Sequence, residues 1–229
     1  YKTYKTYKTY KTYKTYKTYK TYKTYKTYKT YRPIRPIRHI IKKTTPMPNS
    51  FLPQRGNFRQ LIAYQKAECV YDVTYYFAHK YLDPHDRTID QMIQAARSGK
   101  QNIAEGSSAS TTSREMELKL VNVARASLDE LLLDYEDYLR CRNLSIWASD
   151  HPKAIQTREV CKKHNDSAYY REAIKTRNDE VIANLAITLI HQTHDLLRRL
   201  IDRLKQDFVK NGGIKEEMYK ARMEWRKKR

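Results

Sequence analysis

Residues 112–142 read Thr112-Ser-Arg-Glu-Met-Glu-Leu-Lys-Leu-Val-Asn-Val-Ala-Arg-Ala-Ser-Leu-Asp-Glu-Leu-Leu-Leu-Asp-Tyr-Glu-Asp-Tyr-Leu-Arg-Cys-Arg142. Met116, Leu120, Val123, Ser127, Leu131 and Tyr138 recur at the three- and four-residue steps that line one side of an α-helix. Leu118, Val121, Leu128, Leu132, Tyr135 and Leu139 make the adjoining row. Two rows side by side are wider than one neighbour can cover, so this helix is expected to sit centrally among others. Thr112-Ser-Arg-Glu115 matches the capping box, in which Thr112 accepts from the first turn and Glu115 reaches back.

Working outward, the prolines leave room for more long helices. Five of the seven lie at or before Pro53, and the others are Pro84 and Pro152, so 54–83, 85–151 and 153–229 carry no such breaker. A first helix is predicted from about Arg59 to Leu82, with Leu61, Tyr64, Ala67, Tyr71, Thr74, Ala78 and Tyr81 in register and Asp83-Pro-His-Asp86 ending it. A second starts at Asp86 or Thr88 and carries Ile89, Met92, Ile93, Ala96 and Ile103, with Gly106 as its left-handed C′ residue. The third is the one quoted above. A fourth runs from about Asp179 to Lys210 on Ile182, Leu185, Leu189, Leu196, Leu200 and Leu204, and Gly212-Gly213 stops it. Residues 143–178 are polar and read as an insertion with a short helix near Tyr169–Thr176. No alternating strand pattern occurs. The expected class is all-α: an antiparallel four-helix bundle over 57–213, a disordered basic N-terminal tail over 1–56, and a basic helical extension over 214–229.

Charge supports that partition. The net charge is +21, yet residues 1–56 hold 16 Lys or Arg and no acid, and 214–229 hold seven cations and three anions. The segment between has 23 basic and 22 acidic residues, so it is nearly neutral. Residues 1–30 are ten copies of Tyr-Lys-Thr, followed by an Arg-Pro-Ile echo at 32–37. A period of three fits neither helix nor strand, and the tract has too little apolar surface to offset its ordering entropy. Three readings stand for it: rings and cations that bind single-stranded nucleic acid loosely, a solvated tail, or a nine-base tandem repeat read in frame ahead of a start at Met47. On the last reading the net charge is +6.

Several function classes lack their signatures. No apolar run approaches the length of a membrane span, and Cys69, Cys141 and Cys161 form neither a CxxC pair nor a disulfide framework, which suits a cytoplasmic protein. There is no P-loop, GxGxxG, HExxH or GxSxG. His191 and His194 lie three apart without further ligands, and Cys161-Lys-Lys-His164 is half a zinc motif, expected in a loop. Asp134, Glu136 and Asp137 read as a solvated acidic face. No catalytic residue, cofactor or metal is therefore expected. Ser98, Asn102 and Glu105 share a side of the second helix and face Ser127, beside the small Ala124 and Ala126, as a structural polar layer.

The basic elements are the candidates for binding. Arg198, Arg199, Arg203 and Lys205 cluster on the late turns of the fourth helix. Arg222, Trp225, Arg226, Lys227, Lys228 and Arg229 end the chain, where cations could meet phosphates and Trp225 could stack on a base. The same arm could instead dock on a protein partner.

The segments Gln94-Ala-Ala-Arg-Ser98, Asn102-Ile-Ala-Glu-Gly106, Ser113-Arg-Glu-Met116 and Val123-Ala-Arg-Ala-Ser-Leu-Asp-Glu-Leu131 resemble the four helix bundle protein family, also described as 23S ribosomal RNA intervening-sequence proteins. Members with a four helix bundle suffix domain look most similar. The likeness covers residues 60–145 well and 179–210 loosely. It implies a small antiparallel bundle without enzymatic activity, often assembled as a homo-oligomeric pentamer. A relative, the accessory variability determinant of diversity-generating retroelements, binds nucleic acid and a reverse transcriptase through a basic surface. The 143–178 insertion, the basic suffix and the near-neutral bundle depart from the minimal pattern. The expected function is a non-enzymatic, oligomerising bundle that binds RNA or DNA through its basic extensions; the alternative is a protein-interaction scaffold.

Overall fold

The computed structural model describes residues 57–110 and 113–227. The tail over 1–56, the Thr112 cap, Lys228 and Arg229 lie outside the described residues. Those described are helical with no strand: a 3-10 turn at Phe58–Gln60, then α1 Ile62–Tyr81, α2 Thr88–Ala109, α3 Arg114–Cys141, α4 Pro152–Lys163, α5 Ser167–Ala173, α6 Asp179–Asn211 and α7 Ile214–Lys227. The four long apolar-striped segments are α1, α2, α3 and α6. Each packs on two of the others, α1 on α2 and α6, and α3 on α2 and α6.

Shared apolar stripes drive this packing. Val70, Val73 and Phe77 of α1, Met92, Ala96 and Ile103 of α2, Val121, Leu128, Leu131 and Tyr135 of α3, and Ile182, Leu189, Ile190 and Leu197 of α6 are all buried in one core. Full burial of each large side chain stabilises the fold by about 1.5–3 kcal/mol. Small residues let the helices close up. A Cβ on Gly99 would lie 2.9 Å from the Leu128 side chain, and one on Gly106 would lie 3.4 Å from the Leu120 Cβ. Rising numbers on α2 thus meet falling numbers on α3, so these two helices run in opposite directions. Tyr138, late in α3, donates to Asp179 at the start of α6, at 2.9 Å. Arg114, at the start of α3, reaches the Gly212 carbonyl beyond the end of α6, at 3.0 Å. That pair is opposed too.

Several local expectations need correction. Gly106 is not a C′ residue: α2 continues through it to Ala109, with Gly106 buried against Glu117, Leu120 and Val121 of α3. The cap of α3 is Ser113, whose Oγ accepts from the Met116 N–H at 3.1 Å, while Glu115 pairs with Lys119 instead of reaching back. At the other end of α3, Asn143 adopts φ 55° and the Leu144 N–H returns to the Leu139 carbonyl at 2.9 Å, a Schellman-type stop. Gly212 does take a left-handed φ of 77° at the end of α6.

The 143–178 segment contains more structure than one short helix. Pro152 opens α4 at a position that tolerates its missing N–H, with His151 as the cap. Cys161 is therefore helical and buried, not in a loop. α4 packs on α6, and α5 packs on α1. Asn184 of α6 ties down the irregular segment after α3. Its amide donates to the Ser145 carbonyl and its oxygen accepts from the Trp147 N–H, both at 2.9 Å.

Candidate nucleic-acid interface

The cations on α6 project to solvent. Arg198, Arg199, Arg203 and Lys205 are all exposed, because the opposite side of the same turns buries Leu197, Ile201 and Leu204. Arg199 and Arg203 are one helical turn apart, as are Arg222 and Arg226 on α7, so each pair shares a side. Arg198 pairs with Asp195 at 3.0 Å, an exposed contact of little energetic weight.

Arg114 sets the position of α7. Its guanidinium donates to the Gly212 carbonyl at 3.0 Å and to Glu217 Oε1 at 2.7 Å, so one side chain links the start of α3, the α6 terminus and the first turn of α7. The Gly213 N–H donates to Glu216 Oε2 at 2.6 Å, closing the turn. Beside this junction Glu117 is half-buried. Burial raises its pKa, against the pull of Arg203 and Arg114. Beyond the anchor, Arg222, Trp225, Arg226 and Lys227 are exposed, together with Met218 and Tyr219. α7 thus presents cations and large apolar groups on one short arm.

The polar layer is a three-residue arrangement. Ser98 and Ser127 hydroxyls are 2.9 Å apart, and the Asn102 amide donates to the Ser98 carbonyl at 2.9 Å and its hydroxyl at 3.2 Å. Glu105 is exposed and stands outside it, as does Ala126, whereas Ala124 is buried.

Elsewhere the structure groups residues that sequence spacing does not. Lys66 of α1 is buried, and its ammonium donates to the Cys161 carbonyl and, at 2.8 Å, to the His164 carbonyl. These acceptors lie at the C-terminal end of α4, where carbonyls lack helical partners and a cation is favoured. Burial nonetheless pulls the Lys66 pKa down. Around it burial pushes the Cys69 thiol up to about 12 and the Cys161 thiol up to about 11, so both are protonated, inert thiols near neutrality. A lysine in a polar-looking turn of α1 carries no sequence signal for this role, since its partners are 95 and 98 residues away.

His191 is exposed while His194 is half-buried, its Nε2 3.5 Å from Asp129. Burial holds the His194 pKa below the usual range despite Asp129. Among the described residues, no three His, Cys, Asp or Glu side chains are grouped to hold a metal ion, and no helix is long and apolar enough to cross a membrane. No protein-family model, curated protein or solved structure matches the chain.

Proposed function

We propose that this chain is a non-enzymatic, cytoplasmic member of the four helix bundle family that oligomerises and binds RNA or DNA through its basic extensions. In this reading α1, α2, α3 and α6 form the antiparallel bundle, and α4 with α5 is an insertion clasped to its side. The observation that supports it is the anchored arm: Arg114 fastens α7 to the bundle while Arg222, Arg226 and Lys227 stay exposed. Fixed cations lose less freedom on meeting phosphates than cations on an unanchored tail.

The test is the salt dependence of single-stranded RNA binding by the full chain. Each phosphate neutralised contributes a slope of about 0.7 in log affinity against log salt. Replacing Arg222, Arg226 and Lys227 with alanine should flatten the slope by roughly two units. An unchanged slope removes the arm from the interface. The scaffold reading draws on the exposure of Met218, Tyr219 and Trp225 on the same arm. It is favoured if deleting 214–229 abolishes self-association or partner binding while RNA affinity persists.

A further inference from the structure

The outer side of α1 carries a second, unrelated arrangement of rings and cations. Tyr71, Tyr75 and His79 follow one another at four-residue steps, with ring centroids 6.3 and 4.3 Å apart. Tyr75 is half exposed, at 50%. These rings form the floor of an open groove of about 780 Å³ between α1 and α5, with Ile174 at its base. Arg171 of α5 and Lys175 in the turn that follows it form one wall, and Lys80 lies on α1 beside it.

The charges on this groove are unequal. Three cations, Lys80, Arg171 and Lys175, stand against two carboxylates: Arg171 is 3.5 Å from Asp72, which lines the groove, and Lys175 is 2.8 Å from Glu172 in an exposed pair of little energetic weight. Lys80 stands over rings rather than a carboxylate, and so does Lys100, which is not part of the groove lining. Lys80 lies 5.0 Å from the Tyr76 centroid, and Lys100 of α2 lies 4.3 Å from that of Tyr71. The groove is therefore aromatic at its floor and positive at its rim.

We propose that this groove is a stacking platform for a single-stranded nucleic acid, with an unstacked base on Tyr75 and the flanking phosphates at Lys80, Arg171 and Lys175. Aromatic floors beside cationic rims bind single strands without sequence preference, because every base offers a π-face and every linkage a phosphate. A duplex, whose bases are buried in the stack, offers the floor nothing. This site stands apart from the α7 arm and does not depend on it.

The test is photo-crosslinking of the full chain to a single-stranded RNA of about ten nucleotides carrying 5-iodouridine, a length suited to one binding groove. Cleavage after lysine releases Ala67–Lys80, which contains Tyr71, Tyr75 and Tyr76. Crosslinks are expected on this peptide, competed by unlabelled single strand but not by duplex or polyglutamate. Tyr75→Ala should lower the crosslink yield about tenfold, as loss of one stacked base implies, and Tyr75→Phe should keep it. Lys175→Glu, distant from the core, should lower it as well. Crosslinks confined to 1–56 or α7 peptides would overturn the proposal, and so would a yield indifferent to Tyr75→Ala. Equal competition by polyglutamate would assign the groove to acidic peptides instead. The Arg222, Arg226 and Lys227 alanine variant should keep this crosslink; its loss there would make the groove an accessory of the arm and end the claim of an independent site.

Discussion

Gly99 shows how one absent side chain sets a helix contact. An added methyl would come within 2.9 Å of Leu128 Cγ and Cδ2, and Leu128 is itself fully buried, so its side chain has little room to yield. Overpacking costs about 1–3 kcal/mol, against a helix-propensity gain of about 1 kcal/mol for replacing glycine. Gly99→Ala should therefore lower the denaturant midpoint, and adding Leu128→Val should recover part of the loss. A stabilised Gly99→Ala protein would contradict this packing. Lys66 teaches a related lesson: it is a charge in the core, tolerated because two carbonyls at the α4 end receive it. Neither role can be inferred from the residue alone. Glycine in a helical run and lysine in a polar-looking turn each have commoner explanations.

Among the elements, α7 depends most on a single side chain. Arg114 and Glu217 are each about one-third exposed or less, and the pair also involves the Gly212 carbonyl. Arg114→Ala should leave the α1, α2, α3 and α6 core intact while increasing amide exchange along α7. The local destabilisation should be on the order of 1 kcal/mol. Exchange that rises equally in every helix would mean that α7 is part of the cooperative core. Helix starts and stops were partly legible in the sequence. Gly212 at the end of α6 and the Asp179–Asn211 span follow from apolar period and glycine chemistry. The side chain that caps α3 is Ser113, next to the Thr112 that the capping-box pattern singles out, and the two share the same hydroxyl chemistry. α4 was missed because its exposed side is so polar that only Ala154 and Cys161 are buried, giving almost no apolar stripe.

For the molecule as a whole, buried weak acids set the response to alkali. Burial raises the pKa of Cys161 to about 11, of Cys69 and Tyr138 to about 12, and of Tyr135 and Tyr170 further in the same direction. Each keeps its proton in the folded state after the unfolded chain would release it. Their contribution is complete below the unfolded thiol pKa of about 8.5 and is lost as pH rises through the folded values. Lys66, with its pKa lowered, acts oppositely, since the unfolded chain holds that proton longer. Five acids outweigh one base, so thermal stability should fall between about pH 9 and pH 11. Cys69→Ala with Cys161→Ala should reduce the slope over that interval; a flat profile in the unsubstituted protein would refute the burial of these groups.

By itself the sequence determined the helical class, the four long apolar segments and the division of charge between a neutral middle and basic ends. Those follow from periodicity and composition, which are local properties of the chain. The buried lysine, the Asn184 clamp on residues 145–147 and the ring-and-cation groove on α1 and α5 were decided only in three dimensions. Each joins groups from separate segments, and their approach depends on how whole helices pack.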